Sequence, residues 1–115
     1  MSQETFKIGR RENRAAAMQF AYMRAANPEL PLDRALDAFF ETKDEPRAVY
    51  AFATELIEGM EAHSAEVDAA ISKSAKNWSM DRIAKVDLAI LRLAVFELLF
   101  RGDIPPIVSI NEAID

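Results

Sequence analysis

Cysteine is absent from this chain, which excludes disulfides, thiolate metal sites and cysteine nucleophiles. Glycine occurs only three times and β-branched runs are short, so neither a phosphate-cradling loop nor a sheet-forming pattern is present. No apolar run reaches the ~20 residues of a membrane span, since the longest, Leu88 to Phe100, is interrupted by Arg92 and Glu97. The opening MSQETFKIGRRENR carries no apolar stretch of the secretory kind, and a cytoplasmic protein is expected. What is present suits a folded domain: 50% of the 115 residues are apolar, enough for a core, and 29% are charged, enough for solubility. The net charge of −5 is unevenly placed. Lys7, Arg10, Arg11, Arg14 and Arg24 stand against Glu4 and Glu12 in the first 26 residues, a balance of +3, and the remainder carries −8. Such a division offers a basic end to a polyanion and an acidic body to a basic protein.

Apolar residues recur at steps of three and four almost throughout, so the fold class expected is all-α, in a single domain. A first helix is expected over Gly9–Ala26, stopped by Asn27-Pro28, because a residue before proline is pushed out of the α region. A second runs from Leu32 to about Glu41. A long third begins near Pro46, with Val49, Phe52, Leu56, Met60, Val67 and Ile71 as its seam. A break comes near Lys76-Asn77-Trp78, dividing the domain into subdomains of about 1–76 and 77–115. Ser79 can cap a fourth helix with Asp81 in its first turn. That helix continues, or kinks near Val86, into the apolar stretch 88–100, which reads as a central helix ended by Gly102. Beyond the stiff Asp103-Ile104-Pro105-Pro106, Ser109-x-x-Glu112 has capping-box spacing, so the chain is expected to be cut short as a helix begins.

On a helical wheel Arg10, Arg11, Arg14 and Tyr22 fall within an arc of about 120°, while Ala16, Phe20 and Met23 lie opposite. Guanidiniums that track phosphates, with a ring to stack on a base, suit single-stranded nucleic acid. A merely solvated basic face with Tyr22 half-buried gives the same pattern, and Met18 interrupts the arc. His63, the sole histidine, continues the seam of the third helix and reads as a packed histidine more readily than a catalytic one. Met60 stands where a carboxylate-bridged metal bundle needs glutamate, so no metal site is expected. Glu97–Arg101 reads as a surface ion pair, and Arg92 as a bridge between elements. No catalytic constellation and no cofactor site emerge.

Three segments, taken together, resemble the NusB family of bacterial transcription antitermination factors. They are Arg10-Arg11-x-x-Arg14 through Ala17-x-Gln19-x-x-Tyr22, then Asn77-Trp78-x-x-Asp81-Arg82-Ile83-x-x-Val86-Asp87-x-Ala89-Ile90-Leu91-Arg92-Leu93-Ala94-x-x-Glu97-Leu98, and finally Asp103-Ile104-Pro105-x-x-Val108-x-Ile110-Asn111-Glu112-Ala113-Ile114. The resemblance implies a NusB-like fold of two small helical subdomains packed across each other, with the last helix or helices missing here. It implies a non-enzymatic factor that binds boxA-type ribosomal RNA leader together with NusE, a small-subunit ribosomal protein, within an RNA polymerase antitermination complex. Carried onto this chain, Arg10, Arg11, Arg14, Gln19 and Tyr22 would contact RNA, and Asp81 and Asp87 the basic protein. Glu12 and Asn13 depart from the basic or small residues usual there and thin the arginine cluster. Loss of the family's final helix would expose part of the apolar helix, so lower stability or a homodimer is expected. The alternatives are a NusB-like domain ahead of a ribosomal RNA cytosine methyltransferase, and a protein-binding bundle with no RNA role; the paired arginines and the Asn-Trp motif favour the free-standing factor.

Overall fold

Proline and asparagine punctuate the first half of the chain as the sequence predicts. In the computed structural model, which describes residues 9–74 and 83–103, α1 spans Arg10–Ala26 and α2 spans Leu32–Glu41. At Asn27, before Pro28, the backbone leaves the helix with φ −134° and ψ 59°. The Arg24 guanidinium closes this end by donating to the carbonyls of Asn27 and Leu30, a cation at the negative pole of the helix. The next helices are α3, Ala51–Ala62, entered through a single 3-10 turn at Arg47–Tyr50, then α4, Ser64–Ser74, and α5, Lys85–Phe100.

The single long third helix expected from Pro46 to Ile71 is therefore wrong: a 3-10 turn opens it and His63 breaks it. Periodicity could not reveal the break, because the hydrogen-bond ladder runs through it. His63 N–H donates to the Gly59 carbonyl and Val67 N–H to the His63 carbonyl, each at 3.0 Å. The seam survives, with Leu56, Val67 and Ile71 all buried. Helix α5 starts after an extended Ala84 (φ −57°, ψ 142°), close to the kink expected near Val86. It ends at Phe100, with Arg101 at φ −122° just before the Gly102 expected to end it; no described residue has positive φ. The expected subdomain boundary near residue 76, the Ser79 cap, Asp81 and the Ser109–Glu112 box lie outside the described residues.

The chain forms two compact units, Met1–Ile57 and Glu58–Asp115. In the first, an aromatic chain makes the core. Phe20 meets Phe39 edge-on at 5.5 Å between centroids, Phe39 meets Phe40 edge-on at 5.1 Å, and Phe40 meets Tyr50 at 5.1 Å. Ala17 and Ala53, fully buried and small, let their helices come close. Asn13 ties α1 to the start of α3 and the turn before it. Its amide donates to the carbonyls of Gly9 (3.1 Å) and Val49 (3.3 Å) and accepts from Ala53 N–H (2.8 Å).

The second unit is built on α4 and α5. A Cβ added at Gly59 would lie 2.2 Å from the Phe96 ring, so glycine is what permits that ring to lie there. Arg92 bridges the two helices through paired bonds to the Asp68 carboxylate (2.8 and 3.0 Å), the bridging role read from its isolation in an apolar helix. Glu97 departs from its expected place. It is fully buried and not on the surface, while the Arg101 guanidinium binds the Asp103 carboxylate (2.9 Å). Helix α5 is nearly apolar all round, so a polar side chain on its packed face is carried inward with it. Leu98 and Leu99 are half exposed.

Candidate nucleic-acid interface

Which face of α1 turns inward is settled by its small residues. Ala16 and Ala17 allow close approach and Phe20 fills the space, so the buried stripe is Asn13, Arg14, Ala16, Ala17 and Phe20. That stripe takes Arg14 out of the solvated arc: it is 4% exposed, where the wheel placed it among the surface cations. Charge argued for solvent, but Arg14 lies one turn before Ala17 and shares its side of the helix. No buried side-chain nitrogen or oxygen among the described residues lacks a hydrogen bond, so its burial is compensated.

Arg10, Arg11, Gln19 and Tyr22 are all exposed along α1, Arg10 at its start on the side of Arg14 and Ala17. Tyr22 shows 46% of its surface, which leaves its ring free to stack. Cations on this unit sit over rings of its own core. The Arg10 guanidinium lies 4.3 Å from the Phe52 centroid, the Lys43 ammonium 4.9 Å from Phe39, and the Arg47 guanidinium 5.3 Å from Phe40. Arg47 is also paired with Asp37. Lys43 donates to Gln19 Oε1 at 2.7 Å, which brings a cation from the segment after α2 onto the α1 surface. No local motif marks Lys43; only the packing of Phe39 on Phe20 brings it there. Arg24 is used in closing α1.

Beneath this rim, burial and the neighbouring carboxylates push the Tyr50 phenol above its ordinary value; its hydroxyl bonds Glu45 at 3.1 Å. In the second unit His63 stacks on Phe100 at 4.0 Å and faces Glu66 at 3.3 Å, the packed histidine that its seam position suggested. Asp87 is exposed in the first turn of α5. Among the described residues no group of three or more His, Cys, Asp or Glu could hold a metal ion, and no helix is long and apolar enough to cross a membrane.

Fold and surface together define a small all-α binding domain with an aromatic core and cations along its rim. The sequence profile described as the NusB family matches residues 11–115. The transcription antitermination protein NusB of Geobacter sulfurreducens is 47% identical over 109 residues, covering 92% of this chain and 77% of the relative. That of Myxococcus xanthus is 43% identical over 110 residues, at 92% and 78% coverage. Among solved structures, T. maritima NusB superposes with a TM-score of 0.81 at 33% identity, covering 94% of this chain and 75% of its own. A chain in a crystal structure of a plectonemic RNA supercoil gives 0.80 at 29% identity, covering 92% and 77%. This chain belongs to the NusB family. Its members are regulatory proteins of transcription and not enzymes.

Proposed function

We propose that this chain is an RNA-binding transcription antitermination factor that takes a single-stranded boxA-type leader RNA on the outer face of α1. The observation that carries the reading is the clustering of exposed Arg10, Arg11, Gln19 and Tyr22 on one helix of a chain whose net charge is −5. Concentrated cations on an acidic protein attract a polyanion locally, and the exposed ring adds stacking that tolerates any base. Arg14, being buried, serves here as scaffold for that face. The antitermination role is supported by the names of these relatives, transcription antitermination proteins. Such a role belongs in the cytoplasm, with the transcribed nucleoid.

NusE, a basic partner, fits the acidic remainder of the chain, with Asp81 and Asp87 as the residues that would face it; Asp87 is exposed. Together they would join the RNA polymerase antitermination complex. Self-association would use the exposed Leu98 and Leu99, and a single monomeric species across a wide concentration range in sedimentation would remove that extension.

RNA affinity measured against salt tests the main reading. Arg10→Ala with Arg11→Ala should weaken binding at least ~10-fold and reduce the slope of log affinity on log salt by about 0.7 for each lost phosphate contact. Unchanged affinity and slope would sink the basic-face reading. Asp81→Lys with Asp87→Lys should impair NusE binding and spare binary RNA binding.

A further inference from the structure

One stripe of α1 runs along its exposed side. At about 100° per residue, Arg11, Ala15, Gln19 and Tyr22 fall within about 80° of arc. Arg11, Gln19 and Tyr22 are exposed, and the small Ala15 is half-buried between them. The stripe is poor in cations of its own. Arg14 is buried, Arg10 stands on another side of the helix over the Phe52 ring, and exposed Glu12 flanks the stripe. Of the α1 cations only Arg11 lies on it, and Gln19 is just over two turns on, about 12 Å along the axis.

Lys43 brings a second cation to this stripe from outside the helix. Its ammonium donates to Gln19 Oε1 at 2.7 Å and lies 4.9 Å from the Phe39 centroid. Phe39 is buried and packs edge-on against Phe20, the residue next to Gln19, so ring and amide are tied to one core. Both partners of the ammonium are neutral, and neither cancels its charge. By contrast Arg47, the next cation along the chain, is paired with Asp37, and Arg24 donates to a carbonyl at the end of α1.

We propose that Lys43 is a phosphate-contacting residue for an RNA strand laid along Arg11, Gln19 and Tyr22, a deepening that rests on the RNA reading above. An ammonium carries three donors, and a bond to one amide leaves two for phosphate oxygens. Held at two points, the side chain has already lost part of the rotamer freedom that binding would otherwise cost. Tyr22 follows Gln19 by three residues on the same stripe, so a base stacked on its ring brings its backbone near the ammonium.

The test is the anisotropy of a labelled single-stranded boxA-type RNA titrated with the intact chain over a series of salt concentrations. Lys43→Met keeps the side-chain stem on Phe39 and removes the charge. It should weaken binding about 3–10-fold and lower the slope of log affinity on log salt by about 0.7, the share of one phosphate contact. Lys43→Arg, which keeps a donor cation, should hold the wild-type slope. Lys73→Met removes an exposed charge in the last turn of α4 and should leave the slope unchanged, which separates a contact from net charge. A Lys43→Met protein with the wild-type slope would overturn the proposal. So would a Lys43→Arg protein as impaired as Lys43→Met, or a Lys73→Met protein that loses as much slope. Arg11→Met tells this failure from that of the RNA reading. Slope lost at Arg11 and kept at Lys43 leaves the RNA face standing without Lys43. Slope kept at both, or no binding by the wild type, removes the RNA reading and this proposal with it.

Discussion

The two units of this protein solve the same packing problem with opposite surfaces. In the first, polar side chains are drawn inside, where Asn13 and Arg14 are buried, and the cations Arg10, Lys43 and Arg47 lie over aromatic rings. In the second, Glu97 is the charged group inside among the described residues, and apolar Leu98 and Leu99 remain half exposed. Aromatic cores offer ring faces to cations, so the first unit can hold its positive charges in place without ion-pairing each one. Helix α5 also carries rings, Phe96 and Phe100, but the side chain stacked on them is His63. Contacts that hold the second unit include Gly59 on Phe96, the stack of His63 on Phe100, and the pair of Arg92 with Asp68. Fixed cations, the feature a polyanion can use, lie over the rings of the first unit.

The contrast between the units is most open to attack at Gly59. Gly59→Ala places a methyl 2.2 Å from a ring that is itself buried, and overpacking of this kind should cost about 2–3 kcal/mol. Urea unfolding measures it, and a companion Phe96→Leu should recover part of the loss. A Gly59→Ala protein as stable as the wild type would show that the second unit is not packed this closely. In the first unit, Asn13→Ala removes three hydrogen bonds and strands the Ala53 N–H in a buried site, for an expected cost of about 1–3 kcal/mol. Asn13→Asp keeps the acceptor for that N–H and loses both amide donations, so the two variants apportion the tie.

Smaller effects are expected at the ion pair and at the phenol. Arg92→Met removes the pair with Asp68, but both side chains are roughly a third exposed, so the loss should be only about 0.5–1 kcal/mol and should shrink in high salt. The smallest effect is alkaline. Tyr50 has a folded pKa above its unfolded value, so its proton-linked stability is complete below the ordinary 10.0 and is lost as pH rises through the folded value. Tyr50→Phe should therefore flatten the alkaline limb of the stability curve. A limb as steep as the wild type's would assign it to other groups.

Much of this fold could be read from the chain because its stop signals are local. Pro28 and the Asn before it end α1, and Leu32–Glu41 is α2 to the residue. The break at His63 was not legible, since a single turn residue that keeps the hydrogen-bond ladder leaves apolar spacing almost untouched. The exposure of the candidate site residues was read in part. Arg10, Arg11, Gln19 and Tyr22 do lie exposed, but Arg14 does not, because the inward face of α1 is chosen by Ala16, Ala17 and Phe20 and not by where the charges fall. Lys43 was invisible for a further reason. Its meeting with Gln19, 24 positions away in the chain, is made by contacts between aromatic rings that no short motif encodes.

An amide NMR titration of this chain with a short boxA-type RNA would locate the RNA face residue by residue. Binding on the outer face of α1 predicts saturable shift changes centred on Arg10, Arg11, Gln19, Tyr22 and Lys43, with α4 and most of α5 little moved. Shifts concentrated in α4 and α5 with α1 silent, or no saturable shifts at all, would contradict it.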